Sequence, residues 1–342
     1  VERDPHNPSN KVLRLIRGEG SNEYSYDNAV RFRVAKPEKK LAVSFKALTN
    51  TIFNFMKKSK YLKEILQKKA IIPRYCKESL EYLNIHNGDI AFPEALVLQK
   101  CFCDIPFHKF TESFHLNPVG ENYQSLSNDE KKRIKNSYTH TDFYGEYGIA
   151  FSKEWGEKNN LQPVHYLNEQ SQYTRHFTEI VEEVLNADNV SDSYVDDILD
   201  RLCFIKPLRG IMKRKSKKET GEEVEVEFQK NFHDEKEWRY VPSREAVSNT
   251  NIERVVANQY ILESEIDINC KLNTEQYEDL WLHYNYEDIR YIVVPDASAR
   301  IDIINTILNI SEEKFSLGND VMTQKYILIS KILVLEEIRK DW

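Results

Sequence analysis

Two blocks constrain the fold of this chain more than any other feature: Tyr144-Gly145-Glu146-Tyr147-Gly148-Ile149-Ala150-Phe151-Ser152 and Lys236-Glu237-Trp238-Arg239-Tyr240-Val241-Pro242. Both interleave charged and aromatic residues with strand formers. Successive side chains of a strand point to opposite faces, so Glu237 and Arg239 share one face while Trp238 and Tyr240 share the other. Such a strand is either a sheet edge facing water or the wall of a polar cleft. As an edge, it carries a solvated Glu237–Arg239 ion pair worth little. As a cleft wall, it presents a carboxylate able to bind a ribose hydroxyl or stabilise a developing cation, and Glu235 joins the same face if the strand starts that early. The first block has the same two readings. Tyr144, Tyr147 and Ser152 can stack on and hydrogen-bond a planar ligand, with Gly145 and Gly148 allowing close backbone approach. Alternatively the tyrosines are core and Gly148 marks a strand start. Composition alone favours the structural reading of both blocks, because polar strand faces are common.

The segments around these blocks read as α+β. Residues 1–50 are polar, punctuated by Pro5, Pro8, Gly18, Gly20 and Pro37, and form an N-terminal extension with strands expected at 29–34 and 41–45. A domain covering 51–342 follows. It begins with a strand through Ile52, Phe53 and Phe55, then a helix capped by Ser59, patterned by Tyr61, Leu62, Ile65 and Leu66, and ended by Pro73. Strands are expected at 96–103, 148–152, 163–167, 224–228, 237–241 and 289–294. Ser127 with Glu130 makes a capping box for a helix over 128–138. Short and longer helices are expected at 153–160, 170–187, 192–205 and 299–308. A strand over 326–334 and a last helical turn close the chain. The expectation is a single α+β domain with a mixed or antiparallel sheet and a helical insertion near 170–205.

Composition excludes several classes. Of 342 residues, 40% are hydrophobic, enough for a sizeable core, and 48 basic residues against 55 acidic give a net charge of −7. That balance argues against a dedicated nucleic-acid binder. The basic run Lys213-Arg214-Lys215-Ser216-Lys217-Lys218 is offset at once by Glu219, Glu222, Glu223, Glu225 and Glu227, and reads as a solvated turn between strands. Five irregularly spaced cysteines form no disulfide framework and fit a reducing cytoplasm. No apolar run reaches the roughly 18 residues of a membrane span, and the first residues have no signal-peptide core. Cys101, Cys103, Asp104, His108 and His115 lack the usual metal-hairpin spacing, so no metal site is assigned. Gly18-Glu19-Gly20 is too short for a phosphate loop, and no nucleophile triad stands out.

Several blocks occur in a familiar order: Thr51–Phe55, Tyr61–Leu66, Ile72–Cys76, Cys101–Pro106, Tyr144–Ile149 with Ser152–Trp155, Pro163–Tyr166, Asp234–Pro242, Ile289–Pro295 and Leu328–Trp342. Over residues 50–342 the series resembles the bacterial abortive-infection family AbiGi. That resemblance implies phage resistance and the antitoxin-like half of a two-gene system, whose partner is a cognate toxin or a phage protein. In layout alone the chain is also similar to DarT-like ADP-ribosyltransferases, which implies NAD as cofactor. Glu237 or Glu235 would then be catalytic, and Asn54, Tyr144, Tyr147, Ser152 and Arg239 would contact the cofactor. Where that family carries His-x-Thr on its early strand, this chain has Asn54-Phe55-Met56. Two readings follow: a transferase-like effector, and a non-catalytic regulator that binds a partner.

Overall fold

A computed structural model describes residues 2–4, 7–13, 30–31, 50–110, 117–136, 139–187, 189–218, 220–256, 265–316 and 320–341. The chain divides into two units, residues 1–47 and 48–342. In the first, Glu2–Asp4, Asn7–Leu13 and Val30–Arg31 form a three-stranded antiparallel sheet. The strand expected at 41–45 lies outside the described residues.

The second unit is α+β around a nine-stranded mixed sheet. Its strands are β1 (Thr51–Met56), β2 (Arg74–Ser79), β3 (Glu94–Cys103), β4 (Tyr147–Ser152), β5 (Gln162–Pro163), β6 (Glu237–Tyr240), β7 (Val255–Val256), β8 (Ile289–Val294) and β9 (Ile332–Val334). The main path runs β5-β6-β3-β1-β4-β8-β9, with β2 and β7 pairing β3 off that path. Every pairing is antiparallel except β8 with β9.

The ten-residue β3 organises the site. Its last four residues pair with β6, from Glu237↔Cys103 to Tyr240↔Lys100. Its first six pair with β2, from Arg74↔Gln99 to Ser79↔Glu94. Strand β1 meets β3 at a single pair, Phe53↔Cys103. Strands β1 and β2 therefore fork along β3, and Cys101 lies between the two pairings.

The two faces of the sheet are packed differently. Ile52, Met56, Phe102, Ile149, Phe151, Ile292 and Val294 lie under the helices Ser59–Lys68 and Ala297–Leu308, which contribute Leu62, Leu66, Ile303 and Ile307. On the other face Phe53, Cys103, Ala150 and Val293 pack with Ile105, Phe110 and Leu335. The helical insertion is present as Gln172–Asn186 and Asp192–Cys203, and it buries Phe177, Val181, Ile198 and Leu202 against Leu80, Leu83 and Ile85. A hairpin of Arg209–Lys217 and Glu223–Asn231 pairs with Asn117–Val119 and packs Val226 and Phe228 on Phe143.

Four local expectations need correction. Ser59 is the first helical residue rather than the cap, which is Lys58, and the helix ends at Lys69 in the left-handed conformation, before Pro73 is reached. Residues 213–217 belong to a strand, not a turn; Lys213 pairs with Glu225 and Glu227 and Lys215 with Glu223 across the hairpin. The segment 326–334 is mostly helix: Asp320 caps Val321–Ser330 by accepting from the Thr323 amide, and only Ile332–Val334 is strand. Finally, β6 is not an edge strand, since β5 and β3 flank it. The capping box of Ser127 and Glu130 forms as expected, with each side chain accepting from the other's backbone amide.

Candidate functional site

The alternation in β6 places Glu237 and Arg239 on one face, and that face is sealed. Glu237 is 5% exposed and Arg239 0%. The Arg239 Nε donates to Glu237 Oε1 at 2.6 Å and a terminal nitrogen donates to Glu78 Oε1 at 2.9 Å. Its other terminal nitrogen donates to the Cys203 and Ile205 carbonyls at 2.9 and 3.4 Å, tying β6 to the end of the helical insertion. Lys206, next along the chain, bonds Glu237 Oε2 at 2.8 Å and Glu235 Oε2 at 3.0 Å. The Glu237 amide donates to the Tyr166 hydroxyl at 2.8 Å.

Glu235 does not lie in the strand. It ends a short 3-10 turn, Phe232–Glu235, and Lys236 follows at φ 43°, so the strand begins only at Glu237. Glu235 nevertheless joins the same cluster: it accepts from Lys230 and from the Tyr144 hydroxyl, and Lys230 donates to that hydroxyl at 2.7 Å. Three carboxylates, Glu78, Glu235 and Glu237, thus face three cations, Arg239, Lys206 and Lys230. A buried charge persists only when it is paired and hydrogen-bonded, and this arrangement meets that condition.

The electrostatics follow from the pairing. Burial pushes both carboxyls up, but the facing cations outweigh it and hold Glu235 and Glu237 below the usual carboxylate range. Burial opposes charge on Lys206 as well, yet Glu237 and Glu235 raise it well above an ordinary lysine. Burial raises the Tyr144 phenol, and Glu235 adds to the effect. His140, at the start of the helix His140–Tyr144, is pushed down to about 3 by burial and by Lys230, so its ring is neutral.

A cavity of about 310 Å³ opens at the fork of β1 and β2. Asn54, Gln99, Cys101 and Cys103 line it together with Tyr144, Glu235 and Glu237. Of the residues singled out in the sequence, Asn54, Tyr144, Glu235 and Glu237 therefore converge, with Arg239 bonded behind them. Tyr147 and Ser152 do not. Tyr147 packs half-buried against the opposite core, and Ser152 accepts from the Trp155 amide at 3.1 Å to cap the helix Lys153–Lys158. Gly145, at φ 111°, turns the chain between Tyr144 and Tyr147.

Glu78, Gln99, His140, Lys206 and Lys230 were not among the sequence candidates. Lys230 carried a usable signal, because it continues the buried Val226–Phe228 face of its strand. Cys101 and Cys103 share the Glu237 face of β3, and no cluster of three or more metal-ligating side chains occurs among the described residues. A larger open groove, about 1010 Å³, runs beside the helical insertion past Trp238 and Tyr240. The charged cluster is not on it.

Fold and site together define an α+β protein with a neutralised buried ion cluster beside a small cavity. No helix among the described residues is long and apolar enough to cross a membrane. Residues 125–295 match the family described as "Putative abortive phage resistance protein AbiGi, antitoxin". The chain is also 33% identical over 282 residues to the abortive phage resistance protein AbiGi of Lactococcus lactis subsp. cremoris, covering 80% of this chain and all of that protein. It belongs to the AbiGi family, and its role is anti-phage defence. No solved structure matches it.

Proposed function

We propose that this chain acts in phage defence as an antitoxin that holds a protein toxin through surface contacts, in the cytoplasm, without catalysis. The observation carrying this reading is the state of Glu237: it is 5% exposed and both carboxylate oxygens are bound by cations. A carboxylate already neutralised on both oxygens is poorly arranged to stabilise a new positive charge on a ribose. The family description, which names an antitoxin, supports the same reading. So does the helical insertion, which exposes Tyr173, Ile180, Leu185 and Tyr194 among Glu179, Glu183 and Asp197. Aromatic anchors in an acidic surround suit a partner with a basic surface. In this reading residues 51–342 form the AbiGi domain and residues 1–50 an extension.

The test is co-expression with the toxin encoded beside this gene. Relief of growth arrest and co-elution as one complex are expected, with both weakened by Tyr173→Glu combined with Tyr194→Glu. Transfer of ADP-ribose from NAD by the purified chain, lost in a folded Glu237→Gln variant, would overturn the proposal and restore the transferase reading.

A further inference from the structure

The fork of β1 and β2 holds two buried carbonyl oxygens without a donor. Asn54 gives its amide N–H to the Cys101 carbonyl at 2.8 Å, and Gln99 gives its own to Glu78 Oε1 at 2.6 Å. A carbonyl and a carboxylate can only accept, so neither amide can be turned round without losing its bond. Asn54 Oδ1 and Gln99 Oε1 are left with no partner, on residues 4% and 1% exposed. Both residues line the cavity. Two buried acceptors on residues that line one cavity call for a ligand with N–H donors.

Charge describes the rest of the cavity. Its three carboxylates are matched by Arg239, Lys206 and Lys230. Arg74 and Lys100 also line it, and neither makes an ion pair among the described residues; Arg74 bonds the Asn273 side chain and the Pro73 carbonyl. Burial pulls both below their ordinary values, so an anionic group beside them would favour their charged forms. Phe53, Phe55 and His140 supply flat apolar surface. A volume of about 310 Å³ lies at the small end of ligand sites, nearer one nucleotide than two.

We propose that the fork cavity binds a guanine mononucleotide, with N–H groups of the base donating to Asn54 Oδ1 and Gln99 Oε1 and the phosphate directed to Arg74 and Lys100. The base follows from the polarity of the acceptors. Guanine carries N–H donors on two neighbouring nitrogens, N1 and the exocyclic N2. Adenine and cytosine offer only an amino group beside a ring acceptor, and uracil a single N–H. A site whose buried acceptors require donors rejects ligands that lack them. This site is independent of the partner surface, and its test needs no toxin.

The test is calorimetric titration of the full-length chain with GMP, IMP, AMP, guanosine and inorganic phosphate. Saturable GMP binding is expected, at least tenfold weaker for IMP, which lacks the N2 amine, and weaker again for AMP. Asn54→Leu should abolish GMP binding. Lys100→Met should weaken GMP at least tenfold and leave guanosine unchanged. No saturation by millimolar GMP, or equal affinity for GMP and AMP, overturns the proposal. So does GMP binding untouched by both substitutions, which would put the nucleotide elsewhere. If Asn54→Leu does not fold, the GMP–IMP comparison on the parent chain and the Lys100→Met variant decide the matter.

Discussion

Replacing Arg239 by Met probes the ion cluster at its most buried point. The substitution keeps most of the side-chain length and removes a guanidinium that is 0% exposed. Glu237 loses the donor to one oxygen, Glu78 loses its cation, and the Cys203 and Ile205 carbonyls lose theirs. Breaking a buried pair from one side costs about 3–5 kcal/mol, because the remaining charge stays buried and uncompensated. The carbonyl losses overlap with that figure rather than add to it in full. At about 2 °C per kcal/mol, the low end for chains of a few hundred residues, the melting temperature should fall by roughly 6–10 °C. Thermal unfolding followed by circular dichroism measures it. Lys213→Met is the control, since Lys213 and Glu225 are exposed and Glu227 is only half-buried, so the pairs are screened by water; its melting point should not move. Adding Glu237→Met to Arg239→Met should restore part of the loss, since replacing a buried pair by apolar groups removes both desolvation penalties. If Arg239→Met melts within about 2 °C of the parent, the cluster does not hold the sheet to the insertion and the magnitude reasoning fails.

The remaining predictions concern neighbouring parts of the fold. His140 stays neutral in the fold down to about pH 3 but takes a proton near 6.5, the ordinary imidazole value, when unfolded. The unfolded state therefore binds more protons in that window, and stability falls as pH drops from 6.5, by up to about 1.4 kcal/mol per pH unit. Urea titrations between pH 7 and 5 should show this slope in the parent and lose it in His140→Phe; equal slopes would refute the assignment. Glu235 and Glu237 have lowered values, so their contribution is present above the unfolded carboxylate value of 4.5 and is lost only as pH falls below it. Gly145→Ala should cost more than about 3 kcal/mol, because the residue sits at φ 111° and a Cβ would run into the Met56 carbonyl; soluble expression and melting temperature report it. Lys325→Met should lower the melting temperature clearly despite being apolar for polar, since the buried ammonium caps the Leu308 and Ile310 carbonyls at 2.7 Å each; an unchanged melt would mean those carbonyls find water instead.

Local patterns carried the parts of this fold that depend on neighbours in sequence. Alternation in 237–240 put Glu237 with Arg239, and Ser127 with Glu130 marked a helix start, as found. The run from Tyr326 to Val334 reads as strand because it is apolar but for Ser330 and Lys331 and shows neither period; the Asp320 cap upstream of it holds the missing information. Grouping Tyr144 with Tyr147 and Ser152 failed at Gly145, whose left-handed turn sends Tyr144 to the cluster and Tyr147 to the opposite core. The fork of β1 and β2 was out of reach, because it depends on which long-range strand pairs with which half of β3. The same holds for Glu78 and Lys206, which are 128 residues apart and meet only through Arg239 and Glu237. The DarT-like layout was drawn from spacing alone. Spacing carries no information about counter-ions, and it is the counter-ions that decide whether a carboxylate is a reagent or a strut.

That distinction governs how any loss of defence in a Glu237 variant should be read. Glu237→Ala removes one of three carboxylates facing three cations, leaving Arg239 with Glu78 alone and Lys206 with Glu235 alone. The excess positive charge is buried, so the variant loses stability whether or not Glu237 has a chemical role. Arg239 and Lys206 are also the links to the end of the helical insertion, through the Cys203 and Ile205 carbonyls and through the chain itself. Strain released at Glu237 therefore reaches the surface proposed to hold the toxin, and an inactive Glu237→Ala protein is the outcome expected of an antitoxin as much as of an enzyme. The two are separated by measuring fold and partner binding on the same sample: an enzyme keeps both and loses turnover, whereas a strut loses the melting point first and the partner with it.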